Sequence, residues 1–214
     1  MDVVLPRDHG AHRFGVALRG ERRAPAEQTR FRHHGRMKQI SSRAVYTNPW
    51  MTVREDGVRR ADGSEGIYGV VDKPDYALVI PLDGDRLHLV EQFRYPLGLR
   101  RWEFPQGTAP DRLDMEATEL AARELREETG LRAAELVELG TLDVAPGLSS
   151  QRGRVFLATG LTQGEHDREL EEQDMRAAWF TRAEFEKMVA SAEITDAQSI
   201  AAYTLLLLHE RQQS

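Results

Sequence analysis

Cysteine is absent from the 214-residue chain, which excludes disulfides, thiolate zinc sites and cysteine nucleophiles. Any metal must therefore be held by oxygen or histidine. Long apolar runs are missing as well. None approaches the ~20 residues that a membrane-spanning helix needs, and LLLLHE near the C-terminus reads as the end of an amphipathic helix. No apolar region follows the basic residues near the N-terminus, so a signal peptide is not expected and a cytoplasmic location is the default. A large excess of one charge is also lacking. With net charge −6 and pI near 5.7, the chain is not built to coat a polyanion, so neither nucleic acid nor membrane is expected as a partner. A small phosphate ligand remains compatible, because a local site can oppose the global sign.

The length suits one substantial domain with a small additional element. Residues 1–38 differ from the rest. Residues 1–36 carry eight arginines against Asp2, Asp8, Glu21 and Glu27, a net of +4, and show no sustained periodicity. This segment reads as a flexible basic extension that buries too little apolar surface to offset ordering. Short strands dominate after it, from AVYTNPWMTVREDGV through GIYGVVDK, YALVIPLD and RLHLVEQF, separated by turn signals such as KPD and DGD. RWEFP is a further strand stopped by Pro105, and QGTAPDRLD reads as a loop. A helix is expected from Met115 to Thr129, with Asp114 as N-cap and Gly130 as its stop. Strands at AELVELGTLDV, GRVFLATGL and RAAWFT follow, then two closing helices, RAEFEKMVAS and DAQSIAAYTLLLLHER. Strands and helices mixed without regular βαβ alternation predict an α+β sandwich around a mixed sheet.

The helix over 115–129 carries the chemistry. Ala117, Leu120, Ala121, Glu124 and Glu128 form one continuous stripe, so the face that meets the core turns acidic halfway along, with Glu127 beside it. Spacing alone leaves two readings. One is a solvated helix laced with salt bridges to Arg123 and Arg126. The other is a site for a hard cation such as Mg²⁺ or Mn²⁺, which takes oxygen ligands and keeps several waters.

The string GTAPDRLDMEATELAARELREETGL resembles the Nudix box: Gly, five residues, Glu, seven residues, Arg-Glu, an aliphatic, any residue, Glu-Glu, any residue, Gly, an aliphatic. Arg123, Glu124, Leu125, Glu127, Glu128, Gly130 and Leu131 match its second half in type and order. The first half departs, because the stretch from Gly107 to Arg123 is two residues longer and Met115 stands where the family has its first glutamate, leaving Asp114 or Glu116 as stand-ins. The resemblance implies a Nudix-type α/β/α sandwich and Mg²⁺-dependent hydrolysis of a nucleoside diphosphate derivative, with Mn²⁺ as a substitute. It further implies Glu124, Glu127 and Glu128 as metal ligands, the backbone carbonyl of Gln106 as another, and Arg123 as the residue that orients a glutamate.

Residues 40–210 look most like the ADP-ribose pyrophosphatase branch. In VEQFRYPLGLRRWEFPQG, which resembles the branch's strand with Gln-aromatic-Arg followed by Glu and Pro before the box glycine, Arg94 matches an arginine that contacts substrate phosphate and Glu103 matches that glutamate, a substrate-site candidate. Pro146 lies at the spacing of a proline that marks the branch, and EITDAQSIAAYTLLLL is similar to its last helix. Trp50 is similar in place to an aromatic that sandwiches adenine. Of Glu169, Glu171 and Glu172, Glu171 aligns best with a loop glutamate that assists catalysis. The branch is typically a homodimer, so residues 39–72 read as an N-terminal antiparallel strand element available for a swap and 73–212 as the hydrolase domain. Competing substrates are other nucleoside diphosphate sugars such as ADP-glucose or GDP-mannose, dinucleoside polyphosphates and RNA 5′ ends. A non-catalytic ADP-ribose sensor fits less well, since the carboxylates are intact.

Overall fold

A computed structural model describes residues 37–109, 115–165 and 174–214. Its twelve strands and three helices follow the mixed order that the sequence suggested. The N-terminal element is an antiparallel sheet of β1 (Lys38–Thr47), β2 (Thr52–Arg59) and β3 (Glu65–Asp72). Lys38, grouped above with the basic extension, already pairs with Arg59 as the first residue of β1. Asn48 turns the first hairpin: its side-chain carbonyl accepts from the amides of Trp50 and Met51 at 3.0 and 2.8 Å.

The central sheet runs in the order β12 (Arg176–Thr181), β5 (Arg86–Arg94), β4 (Tyr76–Asp83), β10 (Arg152–Thr159), β9 (Glu135–Asp143). β4 and β10 are parallel and the other pairs antiparallel, so the sheet is mixed. β6 (Leu99–Glu103) adds to β5, and β7 (Gln106–Thr108) to β4. β8 (Leu131–Arg132) and β11 (Thr162–Gln163) form a short separate pair. β7 corrects the loop expected over 106–114. Three residues around a glycine carry too little periodicity to register as a strand, yet they pair with Tyr76, Ala77 and Leu78.

Side chains alternate across the sheet and build two cores. Tyr76, Leu78 and Ile80 face α2 (Arg182–Ala190) and α3 (Ala197–Gln213), where Phe104 stacks on Phe185 with centroids 5.4 Å apart. Ala77 and Val79 face α1 (Ala117–Thr129) together with Phe156 and Ala158. Helices on both faces of a mixed sheet make the expected α/β/α sandwich.

Helix α1 is rich in strong helix formers and ends where Gly130 takes the left-handed conformation, φ 76°, its amide donating to the Arg126 carbonyl. Its start differs from the expected Met115. Glu116 is extended, with ψ 134° and no side-chain cap bond, so the helix begins at Ala117; Asp114, the expected cap, lies outside the described residues. α2 opens on a full capping box between Thr181 and Glu184, and α3 on Asp196, whose carboxylate accepts from Ser199 N at 2.8 Å. Among the described residues no helix is long and apolar enough to cross a membrane.

Candidate active site

The acidic half of the α1 stripe is buried. Glu124, Glu127 and Glu128 are 6%, 8% and 1% exposed, which removes the reading of a solvated helix face. Carboxylates are almost never buried to this extent without a partner of opposite charge or a metal. Each glutamate meets a different neighbour. Glu128 Oε2 accepts from the Gln106 amide at 3.1 Å. Glu127 is held by Arg123, whose Nε donates to both carboxylate oxygens at 2.8 Å, and Arg126 Nη2 stands 3.5 Å away. Glu124 lies against Gly107 so closely that a Cβ there would come within 2.3 Å of its Oε2.

Among the described residues no three acidic side chains converge on one point. The set instead fits an ion that takes one or two carboxylates and completes its shell with water and phosphate, as Mg²⁺ does. Gly107 leaves room for the Glu124 carboxylate, because a side chain there would fill the space that the carboxylate uses.

Strand β7 separates this helix from a cleft of about 630 Å³ whose lining includes Gln106 and Gly107. Arg94, Arg101 and Lys73 supply positive charge to the cleft, and Glu103 and Asp196 negative charge. The volume lies within the range of small-molecule and cofactor sites. Arg94, the residue that resembles a phosphate-contacting arginine, lines the cleft and also pairs with Glu103. Arg94 Nε donates to Glu103 Oε2 at 3.1 Å, Arg94 Nη2 donates to Oε1, and Gln92 Nε2 adds a bond to Oε1 at 2.6 Å.

Glu103 is 1% exposed, and burial pushes its carboxyl from 4.5 up to about 7, against the pull of Arg94 and Gln92 and with help from the negative Asp196. A carboxyl that keeps its proton longer in the folded chain than in the unfolded one favours the fold at low pH. Its contribution is complete below 4.5 and is lost as pH rises through 7. Urea unfolding of the wild type and of Glu103→Gln, below and above this window, tests it. The wild type should lose up to about 3 kcal/mol relative to the variant on going up in pH. The offset between the two proteins reflects the Arg94 pairing, whereas the slope reflects the proton alone, so parallel curves would contradict it.

Two further residues take unexpected places. Trp50 is 66% exposed and does not line the cleft of its own chain, so it is not a core tryptophan. Pro146 sits in the exposed turn between β9 and β10, a turn that anchors the N-terminal sheet: Gly147 O accepts from Tyr68 Oη at 3.0 Å, and Val71 N donates to Leu148 O at 2.9 Å. Glu169, Glu171 and Glu172 lie outside the described residues. Sequence reasoning missed Tyr76 and Asp196. The cap role of Asp196 was legible in ITDAQS, but its place in the cleft depends on α3 meeting the end of β6, where Phe104 N donates to Ser199 Oγ at 2.9 Å.

A helix with buried carboxylates, a mixed-sheet sandwich and a nucleotide-sized cleft agree with the comparisons to known proteins. Residues 72–203 match the NUDIX domain, and residues 37–71 match the nucleoside diphosphate sugar hydrolase N-terminal domain. The chain belongs to the Nudix family and is a hydrolase of that family. It is 38% identical to the ADP-ribose pyrophosphatase of Mycobacterium tuberculosis over 175 residues, covering 79% of this chain and 82% of that protein. A second relative, the ADP-ribose pyrophosphatase of Bacillus subtilis, is 30% identical, covering 83% of this chain and 96% of its own length. The fold is shared with a crystal structure of an ADP compounds hydrolase at TM-score 0.74 and 20% identity, covering 83% of this chain and 96% of that one.

Proposed function

We propose that the protein hydrolyses the pyrophosphate bond of a nucleoside diphosphate sugar, with ADP-ribose as substrate and AMP and ribose 5-phosphate as products. The observation that carries this reading is the buried acidic stripe of α1, separated by one short strand from a cleft of nucleotide size with arginines and a lysine in its lining. Two relatives named for ADP-ribose support the choice of substrate.

Glu124, Glu127 and Glu128 would between them hold Mg²⁺ ions, or Mn²⁺ in their place, with one or two of the carboxylates to each ion and the Gln106 carbonyl available to complete a shell. The ions, when bound, neutralise the pyrophosphate and lower the pKa of a water that attacks phosphorus. Arg123 keeps Glu127 fixed in one orientation. Arg94, at the cleft wall, binds a phosphate, exchanging part of its contact with Glu103 for the substrate. Glu171 takes the proton of the attacking water as a new phosphorus–oxygen bond forms and the anhydride bond breaks.

The working molecule in this reading is a homodimer. Every residue of β1 is exposed, and Ile40, Val45, Tyr46, Trp50 and Ile67 leave apolar side chains uncovered on the N-terminal element. A second copy would cover them and receive Trp50 at its cleft as the adenine stack.

Incubation of the purified protein with ADP-ribose and Mg²⁺ should yield AMP and ribose 5-phosphate by chromatography. EDTA should abolish the reaction, and added Mg²⁺ or Mn²⁺ should restore it. Failure to turn over any nucleoside diphosphate derivative would sink this function. Preferred turnover of dinucleoside polyphosphates or RNA 5′ ends would displace only the substrate, and a solution mass of one chain would remove the dimer.

A further inference from the structure

Tyr76 opens β4 and leans across Gly153 on the neighbouring β10; a Cβ on Gly153 would stand 2.4 Å from its Oη. The residue lines the cleft, is 7% exposed, and its hydroxyl has no hydrogen-bond partner. Folded chains seldom leave a buried hydroxyl unpaired, so such a group calls for a partner that arrives later. Asp196 lines the same cleft. Its Oδ2 caps α3 through Ser199 N, which leaves carboxylate capacity for a ligand. Burial holds the Tyr76 phenol well above its ordinary range, and the negative field of Asp196 adds to that effect. The phenol is thus a neutral hydroxyl at any working pH.

The chemistry of this wall selects its ligand. A phosphate is disfavoured, because Asp196 brings negative charge to this wall, and the cations Arg94, Arg101 and Lys73 offer it better places. A flat base is also poorly served at this wall, since Tyr76 is the only aromatic among the described lining residues of this chain and its ring is packed into the core. A neutral ring with several hydroxyls does fit, for a carboxylate accepts from them and a phenol can donate or accept.

We propose that Tyr76 and Asp196 form a sugar subsite, in which Asp196 accepts hydrogen bonds from sugar hydroxyls and the Tyr76 hydroxyl gains the partner it lacks in the free protein. This rests on the reading of the cleft as a nucleoside diphosphate sugar site. It makes both residues determinants of specificity, selecting a hydroxylated group over an equally large alkyl one. Neither takes part in the bond-breaking step.

Two conservative variants separate this role from a structural one. Tyr76→Phe deletes only the hydroxyl, and Asp196→Asn keeps an equally good helix cap. Calorimetry with ribose 5-phosphate and propyl phosphate reads the subsite without turnover. The wild type should bind the sugar phosphate more tightly, and each variant should lose about tenfold of that preference. In kinetics, kcat/KM for ADP-ribose should fall by a similar factor. It should stay at the wild-type value for whichever analogue lacks the hydroxyls seated there: the β-methyl ester of ADP, or ADP-ribose with a dideoxy adenosine sugar. The melting temperature of Tyr76→Phe should hold or rise, because an unpaired buried hydroxyl is gone. Equal binding of the two phosphates by the wild type, or equal losses on all three substrates, would overturn the subsite. If the wild type turns over none of the three, the ADP-ribose reading falls, and calorimetry alone still decides the subsite.

Discussion

Glu128→Gln should lower kcat by on the order of 10²–10³ or more, while the protein stays folded. The side chain is 1% exposed and touches the Gln106 amide, so the isosteric amide fits the same space and keeps one acceptor for that N–H. What it removes is the negative charge, and with it the affinity for a hard cation. Replacing a buried carboxylate by a neutral group does not harm the fold of the metal-free protein and can raise its stability. The wild type should therefore melt higher in Mg²⁺ than in EDTA, by mass action on the folded state, and Glu128→Gln should show little of that rise. Glu127→Gln is the instructive companion. It loses the charge and also weakens the bond from Arg123, so both the metal response and the order of the last helical turn should suffer. Wild-type kcat in either variant would remove the α1 glutamates from the metal site.

The reason this helix was legible and the cleft was not lies in sequence distance. Glu124, Glu127 and Glu128 stand within one and a half turns, so helix geometry fixes their common face, and the second half of the box marked them in the sequence. Their burial followed from the apolar stripe that leads into them. Arg94 and Glu103, nine residues apart on paired strands, were each marked by resemblance, but their mutual ion pair depends on the register of β5 and β6, in which Arg94 opposes Leu99 and Val90 opposes Glu103. Tyr76 and Asp196 are brought together only by α3 closing over the start of β4, and no local pattern encodes that. Exposure was equally hidden for Trp50. An apolar residue in a hairpin turn reads the same whether it belongs to this chain's core or to a surface that a second copy covers.

Gly107→Ala should reduce activity by about 10²-fold with almost no loss of stability, a separation that few substitutions offer. The added Cβ would lie 2.3 Å from Glu124 Oε2, 2.6 Å from its Cδ and 2.9 Å from Oε1. Every one of these atoms belongs to the far end of a flexible side chain, and Gly107 does not adopt the left-handed conformation, so the backbone tolerates alanine. The collision is relieved by swinging the Glu124 carboxylate aside. That movement costs the fold little, but it displaces a carboxylate of the proposed metal site, and misplacement by an ångström is enough for a loss of this size. Gly153→Ala is the matched control. Its Cβ would stand 2.4 Å from Cζ and Oη of Tyr76, a rigid ring fixed in the core that cannot turn away. There the expected cost is to the fold, about 1–3 kcal/mol of overpacking read as a lowered melting temperature. If Gly107→Ala instead unfolds the protein at wild-type specific activity per folded molecule, the close approach of β7 to Glu124 serves packing and not the metal site.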